Sequence, residues 1–436
     1  MRSSYYRLMM NTGRDVLSLA MNLLTRCTDT STDRQIGTRS DRITGNKENF
    51  DVPIRATGSQ GQVRVLSFCY EYPPLGGGGA KVAAGLAAEL VKAGYTIDLV
   101  TMWMPGLRLL ESHGNLTVIR VPCIRLNRNL CRVWEMPLYL AIALPLLCCL
   151  CIRHRYALNH THFIFPDGVL SFITYKLFRL PYIITAHGSD VPGYNPNRFK
   201  TAHRLLAPVW KYVVRAADTI VCPSNSLETL IHRQEPSART AKIPNGLDTT
   251  KFQPRRNKQD RILVVTRMFE RKGVQYLIDA LDGFDHKFEV HIVGDGPYLE
   301  VLEGAVESKN LDITLWGYLE NQSPEIRELY ETSKIFVFPS EAENFPIVLL
   351  EAMAAGLAII TTEGTGCAEV VGDAALLVKP RDSAGIRRCL EALITNPNLI
   401  DELGAAARTR LTERFDWARV ANEYSSLFRQ IDGGKK

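Results

Sequence analysis

The chain lacks a strong charge excess. Its 52 Lys and Arg oppose 46 Asp and Glu over 436 residues, a formal net charge of +6. That balance does not indicate a nucleic-acid protein; it suits anionic substrates or an anionic membrane face. A spaced Gly-x-Gly-x-x-Gly is also missing, which argues against a nicotinamide dehydrogenase. The ten cysteines are scattered except for Cys148, Cys149 and Cys151, whose spacing suggests no zinc site, so reduced thiols and a cytoplasmic protein are expected. There is no secretory hydrophobic stretch of sufficient length ahead of a small-residue cleavage site. The longest apolar run, 136–152, falls just short of a membrane span, is interrupted by Pro137 and Pro145, and ends at Arg153-His154-Arg155. It reads as a buried or membrane-surface helix.

What is present is an alternation of short β-rich runs and helical segments. Residues 1–60 differ from the rest: rich in Ser, Thr, Arg and Asn, they read as a disordered extension or an early start codon, with a short amphipathic stretch at 16–24. Residues 63–68 read as a strand, followed by a loop with Gly76 to Gly79, a helix at 80–93 and a strand at 95–101. Strand, glycine loop, helix, strand is a βαβ unit with parallel strands. Further strands are expected at 182–185 and 219–222, and 245–260 reads as a linker. A second cycle follows, with strands at 262–266, 288–293, 335–339 and 358–362. The expected division is an extension (1–60), two Rossmann-like domains (61–250 and 251–415) and a C-terminal helix (416–436). Open α/β sheets bind ligands at the carboxyl ends of their strands, where the motifs below fall.

Two acids, Glu343 and Glu351, stand with seven residues between them. Pro346 suits a first helical turn, 347–355 reads as a mostly buried helix, and Gly356 is a natural stop. Glu343 then precedes the helix and Glu351 lies inside it among Leu349, Leu350, Ala352 and Met353. The pair spans at most about 12 Å, the reach from a ribose across a diphosphate to a sugar ring. The helix N-terminus between them offers free N–H groups to an anion. Arg267 and Lys272 follow a strand and can neutralise a diphosphate. His187 closes another strand before Gly188. Each motif alone also fits a structural role: a solvated loop, a turn or a buried histidine.

Together, in this order, Gly76 to Gly79, His187-Gly188, Arg267…Lys272-Gly273 and Glu343…Glu351 with Ala352-Met353-Ala354-Ala355-Gly356 resemble the retaining GT-B glycosyltransferases of family 4, also called glycosyl transferases group 1. The resemblance covers about residues 62–430. It implies an α/β fold of two Rossmann-like domains facing across a cleft, with the C-terminal helix crossing back onto the first. It implies transfer of a hexose from a nucleotide-diphosphate sugar to an acceptor hydroxyl. Arg267, Lys272, Glu343 and His187 would be catalytic. Gly78, Gly79, Gly294, Leu319, Glu351, Phe345 and Ile347 would bind the donor. Asn344 and Pro346 stand where the family commonly has glycine, and Pro346 removes one N–H donor. The family needs no metal and no cofactor beyond the donor, and the chain contains no Asp-x-Asp of the kind GT-A transferases use. His160 and His162 alternate in a strand without further ligands at usable spacing, so no metal site is expected. The apolar and basic stretch 104–155 hints at a lipid- or glycan-linked acceptor and peripheral attachment at the inner membrane face. A GT-B epimerase, a phosphorylase and a non-catalytic nucleotide-sugar-binding regulator remain alternatives.

Overall fold

The computed structural model describes residues 63–128, 130–194, 200–320 and 323–433. The expected extension and its stretch at 16–24 lie outside them.

Short runs of Val, Ile, Leu and Phe form strands buried on both faces, as parallel sheets covered by helices require. The first sheet contains β1 (Arg64–Phe68), β2 (Thr96–Met102), β3 (Leu110–His113), β4 (Leu116–Val121), β5 (Leu158–His162), β6 (Tyr182–Thr185), β7 (Thr219–Cys222) and β8 (Thr240–Lys242). Their spatial order is β3-β4-β2-β1-β5-β6-β7-β8, parallel throughout except for the edge pair β3–β4. The second sheet contains β9 (Arg261–Val265), β10 (Glu289–Val293), β11 (Ile313–Leu315), β12 (Ile335–Phe338), β13 (Ala358–Thr362) and β14 (Leu376–Val378). Its order is β11-β10-β9-β12-β13-β14, entirely parallel. Strand order reverses between β1 and β5 in one sheet and between β9 and β12 in the other. A crevice opens outside the carboxyl ends of strands at such points.

Three local readings need adjustment. The helix after the glycines spans Gly78–Lys92, so Gly78 and Gly79 lie in its first turn and not in the loop. Pro346 precedes the helix Ile347–Ala354 with extended backbone (φ −75°, ψ 118°); it caps the helix instead of entering it. Gly356 does end the helix, at φ +62°, a conformation that favours glycine. The apolar run forms the helix Glu135–Arg153, which by length and composition alone could cross a membrane. One stripe of it, including Tyr139, Ala143, Leu146 and Leu147, is buried in the first core.

The C-terminal helix Trp417–Gly433 returns to pack on Gly78–Lys92. Tyr424 and Thr185 share a hydrogen bond of 2.8 Å between their hydroxyls. The Trp417 indole fills space that only glycine leaves: a Cβ at Gly85 or Gly246 would lie 2.5 Å from it. Beside it Leu247 donates its N–H to the Phe415 carbonyl at 2.8 Å and bridges to Asp416. The two passages of chain between the sheets therefore run together. Trp417→Ala empties this packed site and should lower stability by about 3–5 kcal/mol, read as a shifted urea midpoint; an unchanged midpoint would contradict the packing.

Candidate functional site

β9 ends at Val265, and the chain turns through the short 3₁₀ segment Glu270–Lys272. Gly273, at φ +73°, lets this turn pass close to the exit of β12; a Cβ there would sit 2.1 Å from the Pro339 carbonyl oxygen. That approach brings the Lys272 ammonium onto the Glu343 carboxylate. Both side chains are about nine-tenths buried, at 11% exposure each. Ser340 Oγ donates to the same Glu343 oxygen at 2.8 Å. Gly366 fixes the backbone behind: its N–H donates to the Glu343 carbonyl at 2.9 Å, and a Cβ there would collide with the Asn344 carbonyl. Arg267 lies exposed on the same turn, its guanidinium 5.8 Å from the Phe269 ring.

Glu351, 2% exposed, accepts from Lys251 Nζ at 2.8 Å and from the Tyr330 hydroxyl at 3.3 Å. Burial alone would raise its pKa, but Lys251, then Lys81 and the Tyr330 bond, outweigh it and hold the carboxyl below its usual range. Lys81 projects from the glycine helix of the first sheet. It remains open to solvent, yet desolvation lowers its ammonium pKa. Solvent contact combined with surrounding protein is the signature of a concave wall.

On the facing side, Gly79 lies against Phe163 and His187; a Cβ would meet Phe163 at 2.6 Å and His187 at 3.3 Å. The His187 N–H donates to Asp190 Oδ1 at 3.1 Å, so Asp190 orients the backbone here. The His187 and His162 rings stack, with Nε2 of the first 3.2 Å from Nδ1 of the second. His160 Nε2 meets Thr185 Oγ1 at 2.9 Å. Burial lowers the pKa of His187 to about 3. Burial, then repulsion from His187, lowers that of His160 to about 3. His162 is lowered too, by burial, then His160 and His187. All three imidazoles are therefore neutral. Among the described residues no group of three or more His, Cys, Asp or Glu is placed to hold a metal ion.

The two sides meet. Arg267 acts electrostatically on Glu71 and Lys81 on Glu351. Tyr194, packed under Gly188, is raised in pKa by burial and by Glu343, with the Asn344 N–H reaching its hydroxyl. Ser224 Oγ donates to Asn344 Oδ1 at 2.5 Å. Glu369 accepts the N–H groups of Asn225 and Ser226 at 2.7 and 3.1 Å.

The structure thus joins Lys272 to Glu343 and Gly79 to His187, and sets Arg267 toward Glu71 and Glu351 toward Lys81 of the facing side. Gly78 has open space where its Cβ would be. Other expected donor residues hold the framework. Gly294, at φ +142°, permits β10 to approach the Thr266 carbonyl. Phe345 packs edge-on against Phe415, Leu319 lies on the second core, and Ile347 touches the cores of both sheets. Sequence reasoning missed Lys251, Lys81, Tyr330, Glu71 and Tyr194. Lys81 had a signal, a cation one turn into the helix after four glycines; Lys251 lies 100 residues from its partner and had none. An open hollow of about 760 Å³ lies elsewhere, between Ile243 and the C-terminal helix. It holds none of these groups.

Neutral buried histidines make stability depend on pH. Their unfolded pKa is about 6.5, and the folded protein resists protonation there. Stability should therefore fall as pH drops below about 6.5, by up to about 1.4 kcal/mol per pH unit for each histidine. His160→Gln should show a shallower decline between pH 6.5 and 5 in urea titrations than the parent.

Comparison with known proteins bears on the family. Glycosyltransferase Family 4 matches residues 76–251, and Glycosyl transferases group 1 matches residues 248–410. Alpha-maltose-1-phosphate synthase of Mycolicibacterium smegmatis is 25% identical over 305 residues, covering 63% of this chain and 78% of that one. The structure of sucrose-phosphate synthase from Thermosynechococcus elongatus superposes with a TM-score of 0.74 at 21% identity, over 85% of this chain and 100% of the other. Anabaena HepE, solved in complex with UDP-glucose, gives 0.65 at 16% identity, over 84% and 100%. Two sheets with paired switch points, a returning terminal helix and matches along both halves place the chain among the glycosyl transferases group 1, with the GT-B fold.

Proposed function

We propose that this glycosyltransferase moves a hexose from a nucleotide-diphosphate sugar to an acceptor hydroxyl, with retention of configuration and without a metal ion. The observation that carries the reading is the Lys272–Glu343 pair at the exits of β9 and β12, with Arg267 beside it and Gly79 and His187 opposite. The UDP-glucose bound by a protein of the same fold supports the donor class.

The pair suggests how the donor is received. A diphosphate brings negative charge to Lys272 and Arg267, replacing what Glu343 supplies to Lys272. Glu343 is then released to accept hydrogen bonds from the sugar hydroxyls. Glu351, kept ionised by Lys251 and Lys81, takes the ribose hydroxyls by sharing its oxygens with Lys251. Neutral His187 positions the sugar as a hydrogen-bonding group without adding charge.

In the transfer, the bond from the anomeric carbon to the phosphate oxygen breaks while the acceptor oxygen bonds on the same face. The acceptor proton passes to the departing phosphate. Arg267 and Lys272 stabilise the charge that grows on the diphosphate, an electrostatic contribution fixed before reaction. Contacts across the cleft exclude water that would hydrolyse the donor.

Arg267→Ala and Lys272→Ala should each lower kcat about a hundredfold; near-normal turnover in both would overturn the mechanism. Product NMR should show the donor's anomeric configuration, and chelators should leave the rate unchanged. Glu351→Gln should weaken calorimetric binding of the free nucleoside diphosphate by roughly tenfold, the scale of one hydrogen bond to a charged group.

A further inference from the structure

Charge is placed unevenly along this chain. From Leu116 to Ala217 it holds thirteen Lys and Arg against three acids, Glu135, Asp167 and Asp190. That net of +10 exceeds the +6 of the whole chain, so the remainder is acidic on balance. None of the three acids reaches the surface; they are 0%, 0% and 5% exposed. Glu135 accepts the N–H groups of Leu126 and Arg132, and Asp167 accepts from the Tyr70 N–H and the Tyr139 hydroxyl. Asp190 accepts the N–H groups of Ile164 and His187. Arg120 and Arg125 are buried as well, and Arg215 pairs with Glu235 at 2.9 Å, so the charge this segment itself exposes is smaller than its tally but positive only.

The helices of the segment, Glu135–Arg153, Asp167–Phe178 and Lys200–Ala216, pack side by side as one layer on the first sheet. The last of them has two apolar stripes. Trp210, Val213 and Val214 face the core. Leu205, Val209 and Tyr212, at spacings of four and three, face outward with 75%, 40% and 62% of their surface exposed. Arg204 and Lys211 are exposed next to this outer stripe. The neighbouring helices add Ile152 and Leu177, exposed at 78% and 60%. An outward apolar stripe bordered by cations is the pattern of a helix lying in a membrane interface.

We propose that this three-helix layer docks on an anionic lipid bilayer. Leu205, Val209 and Tyr212 enter the headgroup region, and the surrounding cations meet lipid phosphates. Charge complementarity selects the occupant: the surface has no exposed acid from Leu116 to Ala217 among the described residues, and an anionic leaflet attracts each nearby cation. Aliphatic Leu and Val have no stacking partner on a nucleic acid, whereas acyl chains cover them. The inference does not rest on the donor chemistry and stands or falls separately.

Co-sedimentation of the full chain with vesicles tests it. The protein should pellet with phosphatidylcholine vesicles containing phosphatidylglycerol, stay in solution with phosphatidylcholine alone, and be released by about 0.5 M salt, where screening is short-ranged. Arg204→Glu with Lys211→Glu should lower the bound fraction at least about tenfold. Leu205→Ser with Tyr212→Ser should lower it independently, and both variants should keep the parent unfolding temperature. Three results would overturn the proposal: no binding to anionic vesicles, equal binding by the charge-reversed variant, or a solution dimer abolished by Leu205→Ser with Tyr212→Ser. Displacement of the protein from vesicles by RNA at lower concentration than by free lipid would also count against it.

Discussion

Lys272 and Glu343 meet where two adjacent strands end, and much of the surrounding backbone serves to keep them there. Burying an ion pair gains little stability, because desolvation offsets the attraction. The pair is nonetheless held by two approaches that exclude any side chain: Gly273 against Pro339 and Gly366 against Asn344. A fold under selection for stability alone has no reason to concentrate such constraints at one strand edge. Under the proposed function they hold a cation and an anion together until a ligand exchanges with one of them.

The second acid is managed differently. Glu351 sits inside a helix packed on both sides by Leu349, Leu350 and Met353, where a lone carboxylate would take up a proton. Lys251 comes from the segment between the sheets and Lys81 from the opposite wall. The ionised state of Glu351 is thus a property of both halves of the molecule. By contrast, the histidines opposite are stripped of charge by burial. One wall carries the Lys272–Glu343 and Lys251–Glu351 pairs; the other sets neutral histidines beside the charged Lys81 and Glu71.

Much of this was legible from residue order. Strands β6, β7 and β13 fall where continuous β-branched runs placed them, and the seven-residue gap between Glu343 and Glu351 does set one acid before a helix and one within it. What escaped has physical reasons. Gly78 and Gly79 read as loop because glycine disfavours helix, yet the helix begins at Gly78, with Gly79 packed against Phe163 and His187. Pro346 fits a first helical turn by φ alone, but ψ decides, and here it is extended. Lys251, Tyr330 and Tyr194 reach the cleft through contacts between distant segments, which leave no local pattern. Gly294, expected to bind the donor, also has a packing role: a carbonyl lies 1.7 Å from where its Cβ would be.

Trp417 and the bridge between Leu247 and Asp416 bear on motion. Because both covalent passages lie together at one place, the halves are moored along a single line, while elsewhere they touch through side-chain bonds such as those of Ser224 and Glu369. Bonds of that kind break and reform readily; a paired backbone with an indole wedged beside it does not. Any relative movement would therefore be a swing about one axis, like a page about its spine, that returns the two facing edges to the same alignment.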